Sequence, residues 1–427
     1  VTTGETTGRT TGEDTARSTD RDTDRNTARD ADRETGRDTD RDGSEGGAGA
    51  LDGVRVIDLT QVMAGPFCTM LLADLGADVI KVEPPGTGDQ IRSSWDTPEP
   101  GHDSPSFHAL NRNKRSVTLD LRSEEGKRGF RTLLAEADVV VENFRPGVAD
   151  RLGVGYEAVR AVRPGIVYAS ISGFGQYGPY AGRAGYDLIA QSMAGSLSVT
   201  GEPGAPPVKC GLPVGDLGAG MLCAVGILGA YVHRRRTGEG QYLETSLYEA
   251  VLAMSVWEST EYFSTGRAPG PLGSAHRMSA PYQAVRTADG HVTIAANNQR
   301  LWERLCGALG LDRLVDDERF ATNTARMAHR PELIALLEGR LAAESTDATV
   351  AKLLDAGVPA GPILDYEQIL GGDPHAAARG MVEEYEHPVS GRRRVLGFPV
   401  KLGRTPSRVR RHPPLLGEHN RELLGET

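Results

Sequence analysis

The sequence is poor in the residues that staple, span or ligate. Its 427 residues include only four cysteines, Cys68, Cys210, Cys223 and Cys306, far apart and with no CxxC pair. That spacing suggests neither a disulfide framework nor a zinc site. The ten histidines form no cluster with metal-ligand spacing, so no metal site is expected. No run of about 18 apolar residues occurs, and the first residues lack the apolar core of a secretory signal. Formal net charge is −10, so nothing draws the chain as a whole towards nucleic acid or an anionic membrane. These absences lead us to expect a soluble, reduced, cytoplasmic protein with neither nucleic-acid nor membrane partners. Motif absences narrow the chemistry. There is no GxxxxGK[ST] loop, no GxGxxG after the first strand, and neither HExxH nor GxSxG. Phosphate-loop ATP hydrolysis, nicotinamide chemistry on a dinucleotide fold, zinc proteolysis and serine hydrolysis all lose their usual signatures.

What is present divides the chain. Residues 1–49 are built from Thr, Arg, Asp and Gly and have almost nothing to bury, so they read as a disordered tail. Order begins at Leu51. VRVIDL, DVIKVE, SVTLDL, DVVVENF and IVYASIS read as strands, separated by helical stretches such as FCTMLLADLG and the segment after Ser123. Alternation of strand and helix predicts a doubly wound parallel sheet covered on both faces, an α/β large domain over 50–265. Residues 266–280 are rich in Gly and Pro and read as a linker or lid. A hairpin with its turn at Asp289-Gly290, followed by helices, predicts a smaller α+β domain over 281–365. Residues 366–427 form a basic, Pro-rich C-terminal segment.

Carboxylates beside glycines are the candidate chemical groups. Asp216, in CGLPVGDLGAGM, stands where an apolar helix is predicted to start at Leu217. By position it reads either as an N-cap or as a nucleophile kept ionised by the helix N-terminus. Asp187, in AGRAGYDLIAQSMAG, opens another predicted helix and admits the same two readings. The loop TQVMAGP follows the first strand, where doubly wound folds bind ligands, and is otherwise an ordinary turn. Lys81, Arg92, Arg112, Lys114, Arg115 and Arg122 form a basic stretch that reads as a phosphate site or as a solvated charged face.

Taken in order, LDGVRVIDLTQVMAGPFCTMLLADLGADVIKVEPP, NRNKRSVTLDL, VENFRPGVADRLG, GYDLIAQSMAG, VGDLGAGM, APYQAVRTADG, GVPAGPI and PLLGEH resemble the family III CoA-transferases. This is the CaiB/BaiF group of formyl-CoA transferase and carnitine CoA-transferase. The resemblance runs from about residue 51 to the end. It implies an enzyme that moves CoA from an acyl-CoA donor to a carboxylic acid acceptor, with CoA as substrate and no permanently bound cofactor. It implies that Asp216 is the nucleophile, forming an aspartyl anhydride and then an aspartyl-CoA thioester. Gln61, Val62, Ala64, Leu119, Arg122, Asn143, Phe144 and Arg151 match CoA-contacting positions. Asp187, Tyr186 and Met63 match positions beside the reaction centre. An interlocked homodimer is implied as well. Two other readings share much of the pattern. The α-methylacyl-CoA racemases resemble GHD where this chain has Gly185-Tyr186-Asp187, and a non-catalytic CoA-binding protein would keep the same loops.

Overall fold

The computed structural model describes residues 49–94 and 103–425, so the expected tail lies, up to residue 48, outside the described residues. The first part of the chain runs β1 (Arg55–Asp58), α1 (Ala64–Asp74), β2 (Asp78–Glu83), α2 (Pro105–Asn111), β3 (Lys114–Thr118) and α3 (Glu124–Leu134). It continues through β4 (Val139–Glu142), α4 (Val148–Leu152), α5 (Tyr156–Val162), β5 (Val167–Ser172), α6 (Asp187–Met193), α7 (Ser196–Val199) and α8 (Val214–Thr237). Strand β6 (Tyr242–Ser246), α9 (Leu247–Ala253) and α10 (Val256–Thr265) complete it.

The six strands pair in parallel in the order β3-β2-β1-β4-β5-β6. Successive strand residues point to opposite faces, and both faces are buried. Val56, Val79, Val139 and Val167 pack with Cys68 of α1 and Cys223 of α8. Ile57, Ile80, Val140 and Tyr168 pack with Phe130 of α3 and Val159 of α5. That is the doubly wound sheet expected from the alternating pattern. The strand order reverses between β1 and β4, and ligands in such sheets bind in the crevice outside the carboxyl ends at that point. TQVMAGP leaves β1 and NFRPG leaves β4, so both loops open on this crevice.

Helix α8 corrects the sequence reading twice. It starts at Val214, not Leu217, so Asp216 lies inside its first turn. At 24 residues it is also long and apolar enough to cross a membrane by length and composition. Here its inner residues Ala219, Cys223 and Ile227 belong to the sheet core. Gly220 lets it approach α1: a Cβ there would stand 2.7 Å from the Ala64 carbonyl oxygen. This close packing brings the start of α8 beside the loop after β1.

A separate core follows. It is built from β7 (Tyr282–Arg286), β8 (His291–Ala295), α11 (Gln299–Leu309), α12 (Asn323–Ala328), α13 (Arg330–Leu341), α14 (Thr346–Asp355) and β9 (Ala360–Pro362). Its strands form an antiparallel sheet in the order β7-β8-β9, and Trp302, Leu305, Leu337 and Leu353 fill the space beneath. The segment before it is fastened. Arg277 pairs with Glu258 and Glu261 of α10 at 3.0 and 2.9 Å, and the Gly273 N–H donates to the Gly201 carbonyl at 2.8 Å.

The remaining chain holds α15 (Tyr366–Gly372), α16 (Pro374–Ala378), β10 (Val382–His387), β11 (Gly391–Leu396) and α17 (Asn420–Leu424). The β10–β11 hairpin was not foreseen. Its basic side sets Arg394, Arg393 and Arg392 across from Glu384, Tyr385 and Glu386, so charges that read as a basic tail are matched across a ladder. Beyond it, the chain returns to β3, the edge strand. Thr118 N donates to Asn420 Oδ1 at 2.8 Å, and His419 N donates to the Ser116 carbonyl at 2.9 Å. Paired in this way, the edge is no longer an open template.

Candidate active site

The site is assembled on buried charge. Asp58 ends β1 with no exposure, and a bare carboxylate there would be costly. Its Oδ1 accepts from Thr60 N at 2.9 Å, and its Oδ2 accepts from Thr69 Oγ1 at 2.7 Å and Lys114 Nζ at 3.0 Å. Burial pushes its pKa up, but Lys114, Lys81 and the hydroxyls of Thr60 and Thr69 together outweigh that and hold it well below the usual range. Lys81 Nζ donates to the Thr60 carbonyl at 2.8 Å and pairs with Asp89 at 2.8 Å. Asp89 Oδ1 in turn accepts from Val62 N at 3.0 Å. The loop after β1 is thus pinned from below at both Thr60 and Val62. Val62 is held at φ +70°, a conformation disfavoured for a β-branched residue and sustained only where the surroundings dictate it.

The loop after β4 is stitched to the same strand end. Gln61 N donates to Asn143 Oδ1 at 2.9 Å, and Asn143 Nδ2 donates to the Gln61 carbonyl at 2.8 Å. Both ends of the Asn143 amide are therefore engaged, which makes it a brace between loops. Its neighbour Glu142, buried at the end of β4, accepts from Phe144 N at 2.7 Å. Burial pushes Glu142 up to about 7, with Ser170 and the Phe144 N–H pulling the other way.

Asp216 is the third residue of α8 and is half-buried. Among the described residues no hydrogen bond to its carboxylate is found, and only burial and the Asp187 charge act on it. The cap comes from Asp187, whose Oδ1 accepts from Gly215 N at 2.8 Å and Asp216 N at 3.4 Å. Of the two roles that its position allowed Asp216, the structure gives the capping role to Asp187. It also reverses the expected electrostatics. Burial first, then the Asp187 charge, push Asp216 up to about 7.

A cavity of about 410 Å³ opens over this carboxylate. Gln61, Val62, Met63 and Ala64 line it from the loop after β1, and Asn143 and Phe144 from the loop after β4. Tyr186, Arg145 and Arg183 complete its polar wall. A second cavity of about 490 Å³ shares Gln61 and Phe144 and continues past Leu119, Arg122 and Pro84. Both are within the size range of ligand pockets. Of the residues singled out from sequence, Asp187 lies behind the wall and Arg151 lines neither cavity. None of residues 266–280 lines the Asp216 cavity.

The basic stretch needs correction. Lys81, Arg92, Arg112, Lys114 and Arg115 are buried and paired with carboxylates, for example Arg92 with Glu83 at 2.7 Å and Arg112 with Asp74 at 2.6 Å. They are neither a solvated face nor a phosphate site. Arg122 alone of the six is exposed, paired with Asp120 at 2.9 Å. Sequence reasoning passed over Asp58, Asp89 and Gln191 altogether. The available signal was a lysine inside an apolar strand, in DVIKVE, which calls for a buried counter-ion.

Comparison with known proteins converges on this chemistry. The model of CoA-transferase family III matches residues 51–420. The chain is 40% identical to the succinate–glutarate CoA-transferase of Agrobacterium fabrum, over 88% of this chain and 95% of the relative. It is 41% identical to the succinyl-CoA:mesaconate CoA-transferase of Haloarcula hispanica, over 88% and 96%. Among solved structures, a CaiB/BaiF family protein from Brucella suis aligns with a TM-score of 0.78 at 40% identity, covering 88% of this chain and 99% of that one. Rv3272 from Mycobacterium tuberculosis aligns with a TM-score of 0.79 at 32% identity and the same coverage.

Proposed function

The chain belongs to CoA-transferase family III, and on that premise we propose that it exchanges CoA between dicarboxylic acids through a covalent intermediate on Asp216. One observation carries the assignment. Asp216 is a carboxylate with no hydrogen-bond donor among the described residues, facing a cavity at the switch point of the sheet and raised in pKa to about 7. A carboxylate of raised basicity is a stronger nucleophile than an ordinary one. The dicarboxylate class rests on the relatives, which are named for succinate, glutarate and mesaconate.

The steps balance without another reactant. An Asp216 oxygen attacks the thioester carbonyl, the C–S bond breaks, and CoA leaves as thiolate, giving an acyl–aspartyl anhydride. The thiolate attacks Cγ of Asp216 and releases the donor acid, giving an aspartyl-CoA thioester. An acceptor carboxylate then attacks that Cγ, and the thiolate returns to the acceptor's acyl carbon. Acyl chemistry sits in the cavity over Asp216. The nucleotide end of CoA runs along the adjoining cavity by Leu119 and Arg122. Tyr186 stands where the racemases resemble a histidine, and it lines the wall, which favours transfer over proton exchange at the α-carbon. Exposed Tyr186, Leu188, Leu212, Met254 and Trp257 are compatible with cover from a second copy.

Hydroxylamine trapping tests the intermediate. After succinyl-CoA is added, mass spectrometry is expected to find the hydroxamate at Asp216 and nowhere else; label at another carboxylate, or none, refutes the assignment. The brace gives a second prediction. Asn143→Ala frees the Gln61 N–H and carbonyl, and should lower kcat/KM about 10- to 100-fold with a stability loss of about 1–2 kcal/mol. Steady-state kinetics and denaturant titration read the two effects.

A further inference from the structure

We propose that Asp187 is a positioning residue for the transfer reaction: from a neighbouring helix it caps the helix that carries the nucleophile, and so sets the direction and reactivity of Asp216. The inference rests on Asp216 being that nucleophile.

Helix α8 cannot cap itself. Its N-cap is Pro213, which has no side-chain acceptor, yet the first turn of any helix leaves N–H groups unpaired. Asp187 Oδ1 takes those of Gly215 and Asp216, at 2.8 and 3.4 Å. Glycine at 215 admits this approach, because a Cβ there would stand 3.0 Å from the same oxygen. The carboxylate is also braced from behind. Gln191, with no exposure, donates from Nε2 to Asp187 Oδ2 at 2.6 Å and accepts from Cys210 N through Oε1 at 2.9 Å. One buried amide thus fixes both the capping group and the irregular segment that leads into the nucleophile's helix.

The chemical consequence follows from competition. An uncapped helix N-terminus would stabilise the charge of Asp216 and blunt it as a nucleophile. With Asp187 occupying those donors, Asp216 gains nothing from them and faces a like charge instead. Its attack expels a thiolate, a much stronger base, so any rise in its basicity narrows the gap. Other ionisable groups in reach are Arg145, Arg183 and Tyr186 of the cavity wall. Glu249 of α9, which packs on α8, accepts a hydrogen bond from Ser246 Oγ at 2.6 Å.

The experiment is the pH dependence of kcat/KM for CoA exchange in the full chain with Asp187→Asn. The amide keeps an acceptor for Gly215 N and removes the charge. We expect the acid limb to move down by about one pH unit and the rate at pH 8 to fall about tenfold. If the single variant fails to fold, Asp187→Asn/Gln191→Glu restores a donor–acceptor pair between the two side chains and moves the charge away from Asp216; the same downward shift is expected. An unmoved limb in a folded variant whose Asp216 still traps with hydroxylamine overturns the inference and leaves the nucleophile standing. If wild-type Asp216 never traps, the reading of the nucleophile fails, and this proposal with it.

Discussion

Asp216→Ala should reduce CoA transfer by about 10⁴-fold or more, because it removes the atom that forms each covalent intermediate. Asp216→Asn should be equally inactive and additionally informative. In the unfolded chain this carboxyl ionises near 4, whereas in the folded chain it ionises near 7. Between those values the folded form keeps a proton that the unfolded form has lost. Stability therefore declines as pH climbs from about 4 to about 7, and the deficit persists above. Asparagine carries no such deficit. The variant should match the wild type at pH 4 and exceed it at pH 8 by on the order of 1–3 kcal/mol, discounted for partial exposure. Denaturant titrations at the two pH values measure the difference. A variant less stable at pH 8 would mean that the carboxylate is not strained by its surroundings. Full transferase turnover in Asp216→Ala would remove it from the mechanism.

Lys114→Met is expected to lower folding stability by about 3–5 kcal/mol, the penalty for breaking a buried ion pair from one side. Lys114 Nζ donates to Asp58 Oδ2 at 3.0 Å, the Pro66 carbonyl at 3.0 Å and Asn111 Oδ1 at 2.9 Å. Methionine fills much of the volume but leaves all three acceptors without this donor. Asp58 keeps its bonds to Thr60 and Thr69, yet loses its nearest counter-charge. Neutralising both members, as in Asp58→Asn/Lys114→Met, should recover part of the loss. Activity adds a separate readout, since Pro66 and Thr60 bracket the loop that lines the cavity. A single variant as stable as the wild type would show that Lys81 alone is sufficient to hold Asp58. Urea denaturation of the single and double variants decides between these outcomes.

The sheet was legible in the sequence because its physics is local. VRVIDL and DVIKVE are apolar on both faces, which only a strand covered on both sides tolerates. The hairpin at Thr287–Gly290 was legible from Asp289-Gly290. Helix α8 was misread at its start because Pro213 and Val214 carry no capping signal; the cap is 28 residues away at Asp187. The same non-locality hid the basis of the basic stretch. Lys81 and Lys114 read as charges in a row, whereas adjacent parallel strands bring both charges to bear on Asp58, with Lys114 bonded to it and Lys81 paired with Asp89. The β10–β11 hairpin was missed because its alternation is of charge against charge, not of apolar against polar. Asp216 itself could not be told from a cap by position, and only the ordered series of motifs singled it out.

Synthesis order gives the covered edge a further meaning. Strand β3 is finished about 300 residues before its partners His419 and Asn420 exist. Until the ribosome has made that later stretch, the nascent sheet presents an unsealed flank to any other extended polypeptide nearby.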